Sequence, residues 1–191
     1  MELTEKQQEK YNEIFLKYDC DEWQAEEIFS GLEKGLDVSI YAKTDFNEDQ
    51  MRQIRLGLEE GLNVSIYAKP EFNSYQMFQI RYGLLNNIDV TIYAKTEFYA
   101  EQMKEIMLGL EKGIDISIYF NSEFNYRQME QIRKGLEENL NVSIYAKLVF
   151  DYLQMEQIRF GLENNINVSS YLNPNIDWEE MGQIRETLEN K

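Results

Sequence analysis

A 26-residue period dominates this sequence. Tyr41, Tyr67, Tyr93, Tyr119, Tyr145 and Tyr171 recur at that spacing, and the frame reaches back to Asp19 and forward to Glu189. A unit this short cannot bury an apolar face alone, so its copies must lean on their neighbours and share one core. Residues that repeat are therefore expected to hold the fold. Residues that depart from the common template are free to carry a task.

Each unit reads as a helix followed by a shorter element. Asn47 with Gln50 has the pattern of a cap and its reciprocal partner at the third helical position. Asp21, Asn73, Asn125, Asp151 and Asp177 are the equivalent caps, and Tyr99 is the exception. Met51, Ile54 and Leu58 follow at i, i+3 and i+7, one stripe of a helix. Gly61 and its counterparts, with Asn at 87, 139 and 165, sit where a left-handed C-terminal cap is wanted. The helix copies are anchored at Ile28, Ile54, Ile80, Ile106, Ile132, Ile158 and Ile184.

The second element has two readings. Asp37, Asn63, Asp89, Asp115, Asn141 and Asn167 precede a Val/Ile-Ser/Thr-Ile/Ser-Tyr segment. An unbroken series of capping residues, closed by Pro70 and Pro174, favours a short helix. The β-branched content favours a strand. The Leu-x-x-Leu-x-Leu spacing of leucine-rich repeats is absent, and the unit is too short for ankyrin or tetratricopeptide repeats.

The expected fold is all-α: an α-solenoid of seven 26-residue repeats, each a long helix plus a short helix or extended turn. With helices about 8–10 Å apart it would form a rod or arc on the order of 60 Å long. Length predicts one domain over 1–191. Segment 4–18 reads as an N-terminal capping helix, with a Thr4–Gln7 capping box and an apolar face of Tyr11, Ile14, Phe15 and Tyr18. Repeats fill 19–170. Residues 171–191 read as a C-terminal capping repeat, where Thr187 replaces the usual Gly and Glu180 the usual Gln.

The string Gly-Leu-Glu-x-Gly-Leu-Asp-Val-Ser-Ile-Tyr-Ala-Lys-Pro-x-Phe, with Gln-Met-x-x-Ile-Arg-x-Gly-Leu, resembles a 26-residue repeat of uncharacterised bacterial and phage or mobile-element proteins. The resemblance covers nearly the whole chain. It implies a repeat protein and brings no catalytic residue or substrate with it.

Composition narrows the chemistry. The chain has 19 Lys plus Arg against 35 Asp plus Glu, for a net charge of −16, which repels nucleic-acid phosphates and anionic lipid. Direct nucleic-acid or membrane binding is not expected. There is no histidine, which removes His-based catalysis and His metal ligands. Cys20 is the one cysteine, so no intrachain disulfide or thiolate cluster can form. It occupies the phenylalanine slot of the first unit and reads as a small buried residue. No calcium loop or phosphate-cradling glycine loop is present. No cofactor or metal is expected, no carboxylate pair stands out, and a non-catalytic protein follows. With no signal peptide and no run of eighteen apolar residues, the expected location is the cytoplasm.

Several repeating series read as structure. The helical glycines (Gly31, Gly57, Gly83, Gly109, Gly135, Gly161) each cost about 1 kcal/mol against alanine and suggest close helix-to-helix approach. Arg55, Arg133, Arg159 and Arg185 can pair with Glu59, Glu137, Glu163 and Glu189 at i, i+4, although a guanidinium ladder for an anionic ligand is the functional alternative. The Gln series at 24, 50, 76, 102, 128 and 154 suggests an inter-repeat hydrogen-bond ladder.

The candidate site is where the water-facing stripe loses its charge. In the third repeat helix it reads Tyr75, Phe78, Tyr82 and Leu85, where other units mostly place charge, with Leu56 and Leu108 at the position of Tyr82 in the flanking helices. Exposed patches of this kind mark interaction sites, and Tyr and Phe are enriched there. A weaker patch is Tyr126, Tyr152, Leu153 and Phe160. The expected function is a protein-binding scaffold, as a monomer or homodimer. The alternative is an acidic nucleic-acid mimic that inhibits a DNA- or RNA-binding defence protein, of the anti-restriction or anti-CRISPR type. Its candidate residues are Asp19, Asp21, Glu22, Glu26 and Glu27, around Trp23.

Overall fold

The computed structural model describes residues 4–17, 19–43 and 45–190. Eight α-helices follow one another among these residues, with no strand: α1 (Glu5–Lys17), α2 (Glu22–Glu33), α3 (Glu48–Glu59), α4 (Ser74–Leu85), α5 (Ala100–Glu111), α6 (Tyr126–Glu137), α7 (Tyr152–Glu163) and α8 (Trp178–Glu189). The second element of each repeat is a single turn of 3-10 helix, as in Val38–Ile40 and Val64–Ile66. Its leading Asx residue holds it: Asp37 Oδ1 accepts from the Ser39 amide at 3.2 Å and from Ser39 Oγ at 2.6 Å. The β-branched residue behind it packs inward, and Val38, Val64, Val90, Val142 and Val168 are all buried. Burial, not strand pairing, explains the β-branched content.

The chain divides into two compact units, Met1–Met103 and Lys104–Lys191. In the first, α1 packs on α2, α2 on α3 and α3 on α4; in the second, α6 packs on α7 and α7 on α8. The expected capping boxes form except at Asp177, whose side chain accepts from the Glu180 amide at 2.8 Å without a return bond. Asn47 Oδ1 accepts from the Gln50 amide at 2.9 Å, and Gln50 Oε1 accepts from the Asn47 amide at 2.9 Å. At Tyr99 only the return bond exists, from the Tyr99 amide to Gln102 Oε1 at 2.7 Å. The helices end on left-handed residues, Gly61 at φ 70° and Asn87 at φ 57°.

The Gln series does more than cap. Gln24 Nε2 donates to the Phe46 carbonyl at 2.7 Å, and Gln50 Nε2 to the Phe72 carbonyl at 2.6 Å. Gln128 and Gln154 make the same bond, at 2.8 Å to Phe150 and 2.7 Å to Ile176. One buried amide thus closes its own helix start and ties down the loop of the next repeat, which makes the repeat period a mechanical register.

The helical glycines serve a different neighbour from the expected one. A Cβ at Gly57 would fall inside contact distance of Tyr67 Oη and lie 2.9 Å from Val64 Cγ1. Tyr67 follows Gly57 in the same repeat, and its hydroxyl donates to the Gln53 carbonyl at 3.1 Å. The glycine therefore admits a tyrosine hydroxyl to the backbone of its own helix, and it does not mark an approach of two helices. Tyr41 repeats the bond to the Glu27 carbonyl at 3.1 Å and Tyr145 to that of Gln131 at 3.1 Å. In α8, Thr187 stands in the glycine slot and its own Oγ1 donates to the Gln183 carbonyl at 2.8 Å. A local hydroxyl there takes the acceptor that a tyrosine takes elsewhere.

In α1, Thr4 and Gln7 form the expected box, and Tyr11 meets Phe29 edge-on at 6.0 Å. Ile14 is buried, whereas Phe15 is exposed and only stacks on Tyr11. Tyr18, expected on the same face, lies outside the described residues. Cys20 is half-buried, and burial together with Asp21 and Asp19 raises its thiol pKa, so it is a poor nucleophile.

Candidate functional site

The third repeat helix, α4, is apolar on two sides. Its inner side carries Met77 and Ile80, both fully buried. Its outer side carries Tyr75, 75% exposed, then Phe78, Tyr82 and Leu85, each about two-fifths exposed. These four are at i, i+3, i+7 and i+10, one straight stripe along the helix, about 15 Å long at 1.5 Å per residue. Phe78 and Tyr82 stack with ring centroids 6.1 Å apart and planes 22° apart, and the Arg81 guanidinium lies 5.6 Å from the Phe78 ring centre. Arg81 itself is turned inward, where its Nη1 donates to Glu60 at 2.6 Å. The outer side of α3 instead carries Asp49 and Arg52. The stripe is thus a local departure from the template, pre-ordered by ring stacking.

Two residues expected in the patch are not part of its exposed surface. Leu56 lies on α3 in the same unit as the stripe and is half-buried. Leu108 belongs to the second unit and is also half-buried. Both hold the helical position of Tyr82. A leucine is too short to clear its neighbours at that position, whereas the tyrosine ring reaches past them.

The acidic cluster divides between two surroundings. Asp19, Asp21, Glu22 and Glu26 are exposed, and Trp23 is 63% exposed. Asp21 is occupied as the cap of α2, accepting from the Gln24 amide at 2.8 Å. Glu27 is not a surface acid at all, being 6% exposed. Its Oε1 accepts from Arg52 Nε at 2.9 Å and its Oε2 from Arg55 Nε at 2.7 Å. Neighbouring acids in sequence point to different sides of a helix, and Glu27 faces the next repeat. It cannot imitate an exposed phosphate.

That contact belongs to a ladder that repeats along the chain. The expected i, i+4 pairs all form: Arg55–Glu59, Arg133–Glu137, Arg159–Glu163 and Arg185–Glu189. Each of these arginines also reaches back one repeat. Arg133 Nε donates to Glu105 at 2.8 Å, Arg159 Nε to Gln131 at 2.9 Å and Arg185 Nε to Gln157 at 3.1 Å. Lys34 and Lys112 complete two of the networks, at 2.5 Å from Glu59 and 2.6 Å from Glu137. Burial pushes Glu59 and Glu137 toward the neutral form, but their lysine and arginine partners outweigh it and hold both pKa values low. At Glu105 burial prevails over Arg133 and raises the pKa. The guanidinium series is therefore consumed internally and is no anion-binding ladder.

Comparison with protein-family models, curated proteins and solved structures finds no match to this chain. Among the described residues, no helix is long and apolar enough to cross a membrane, and no group of three or more His, Cys, Asp or Glu is placed to hold a metal ion.

Proposed function

We propose that this chain is a non-catalytic helical-repeat scaffold of the α-solenoid kind that binds a protein partner through the outer stripe of α4. A single observation carries the reading: α4 is apolar on both its buried and its water-facing side, and a helix apolar all round is normally covered. The repeats offer a rigid frame, fixed by the glutamine and arginine ladders, on which one helix presents Tyr75, Phe78, Tyr82 and Leu85. Aromatic side chains of this type serve as anchors, and losing one costs about 2 kcal/mol, roughly thirtyfold in affinity. The resemblance to bacterial and phage repeat proteins points to a partner from such a cell. The acidic-mimic reading loses Glu27, and Asp21 is already committed to a helix cap.

The test is capture from a host lysate by the wild-type chain and by Tyr75→Ala/Phe78→Ala/Tyr82→Ala, with helical content checked by circular dichroism. All three side chains are exposed, so the triple variant should fold and lose the captured protein. Undiminished capture would refute the site. Capture abolished by high salt and competed by DNA would support mimicry instead. A dimer in light scattering that dissociates in Tyr82→Glu would identify a second copy of this chain as the occupant.

A further inference from the structure

The structure assigns a second recognition point, in the other unit: Arg127, clamped between Tyr126 and Tyr152, is a receptor for a carboxylate on an acidic, apolar-flanked segment of a partner protein. Seven arginines occur in the sequence, and six of them meet a carboxylate: Arg52, Arg55, Arg81, Arg133, Arg159 and Arg185. Among the described residues Arg127 forms no ion pair, in a chain with a net charge of −16. It is held instead by two phenols. Its Nε donates to Tyr126 Oη at 3.0 Å and its Nη1 to Tyr152 Oη at 2.6 Å. Its guanidinium carbon lies 5.7 Å and 4.8 Å from the two ring centres. These bonds use Nε and one terminal nitrogen, which leaves Nη2 free to donate to a ligand.

The two helix starts carry fewer acids than the template. Three of the other five repeat helices, α3, α5 and α8, carry an acid at the second position (Asp49, Glu101, Glu179), and α2 and α3 carry one at the first (Glu22, Glu48); here these positions are Tyr126, Tyr152, Arg127 and Leu153. Neither α6 nor α7 has an acid in its first turn. The loop acid of other repeats (Asp45, Glu71, Glu97) persists ahead of α6 as Glu123, which accepts from Asn121 Nδ2 at 3.5 Å, and becomes Val149 ahead of α7, exposed next to exposed Leu148. Asp151 spends its carboxylate on the amides of Leu153 and Gln154, at 2.8 and 2.9 Å, and Glu130 is paired with Lys134 at 2.8 Å. An exposed arginine normally loses rotamer freedom when it binds; the tyrosine clamp has already removed that cost. One guanidinium matches one carboxylate. A phosphate carries nearly twice the charge and is met by clusters of cations, which this site lacks.

The test uses the full chain and fluorescence polarisation of a labelled, end-blocked glutamate–leucine peptide, with the glutamine–leucine peptide as control. Arg127→Gln should abolish binding, whereas Lys69→Gln, the same charge change at an exposed residue of the other unit, should leave it within about twofold. Tyr152→Leu should weaken it roughly three- to tenfold, the cost of immobilising a freed arginine. Circular dichroism checks that each variant is folded. Absence of binding to the wild-type chain would overturn the assignment, as would equal loss in Arg127→Gln and Lys69→Gln. It would also fall if the glutamine–leucine peptide bound equally well, or if inorganic phosphate competed as effectively as the acidic peptide.

Discussion

Gly57→Ala separates two accounts of the repeat by the sign of one number. On helix propensity alone the substitution should stabilise, by about 1 kcal/mol. The packing predicts the opposite. The new Cβ would overlap Tyr67 Oη and press on Val64 Cγ1 at 2.9 Å. Forcing a methyl into a filled space costs about 1–3 kcal/mol. Moving the hydroxyl away breaks its 3.1 Å bond to the Gln53 carbonyl, and leaving that buried hydroxyl unpaired costs about 1–3 kcal/mol. Set against the propensity gain, the net expectation is a loss of about 1–5 kcal/mol. Urea unfolding followed by far-UV circular dichroism measures it. Tyr67→Phe removes the colliding oxygen, so it should be less harmful when combined with Gly57→Ala than in the native chain, with a coupling of at least about 1 kcal/mol. Gly61→Ala is the control. Its φ of 70° makes alanine unfavourable, yet nothing lies within 4 Å of the added Cβ, so it should show no coupling to Tyr67→Phe. A neutral or stabilising Gly57→Ala, or a coupling near zero, would refute the account of the glycine–tyrosine pair.

Two further outcomes follow from the buried groups. Burial raises the pKa of Tyr41, Tyr67, Tyr93, Tyr119 and Tyr145, and pushes that of Tyr171 up to about 12. A raised pKa means stability that is whole below the unfolded value near 10 and lost as pH climbs above it, at about 1.4 kcal/mol per pH unit for each tyrosine. Phenolate absorbance and helix loss should therefore rise together in alkali, and complete phenolate formation with the helices intact would contradict this. Glu27→Gln should cost no more than about 1 kcal/mol in urea unfolding, because Gln53 and Gln131 already serve as acceptors for Arg81 and Arg159 at the same step, whereas Glu27→Ala should cost about 1–3 kcal/mol, because it leaves Arg55 Nε unpaired and only Glu59 to meet its charge. Equal effects of the two substitutions would place Glu27 outside the ladder.

What is legible in the sequence divides along the range of the contact. The caps, the left-handed Gly and Asn residues and the i, i+4 ion pairs lie within one helix, and their local spacing announces them. The Gln ladder is legible for another reason: one residue type recurs at the same place in successive copies. The Glu27–Arg55 step is hidden because its position alternates Glu27, Gln53, Gln79, Glu105, Gln131, Gln157, which reads as ordinary polar surface. The usable signal is that both residue types accept a hydrogen bond and that Arg follows at a constant 28-residue separation. The helical glycine misleads because its space-filling partner is a tyrosine in the following turn of its own repeat. Leu56 and Leu108 show that helical phase fixes direction but not reach, since the length of the side chain decides whether it clears its neighbours. Arg127 gives no signal, because an arginine at the second helical position breaks no rule until its partners are seen.

The template accounts for most of its own residues, and that sharpens what remains. Met and Ile fill the interior, Gly admits Tyr, Gln ties loop to helix, and Arg ties helix to helix. Each of these positions is held by a contact inside the repeat or with its neighbour. Apart from Arg52, which meets Glu27, the first, second, fifth and ninth helical positions carry no such duty, and it is there that the copies differ. Where selection asks only for solubility, these positions should hold charge, as Glu48 and Asp49 do on α3. Beyond single departures such as Trp23 and Trp178, two clusters stand out: α4, with Tyr75, Phe78 and Tyr82, and the starts of α6 and α7, with Tyr126, Arg127 and Tyr152. The first offers apolar area and the second a pre-ordered cation without a carboxylate. Exposed rings weaken solubility and an unpaired guanidinium stands against the prevailing charge, so neither is what a surface under solubility selection alone would keep. Both are arrangements that a protein partner can reward.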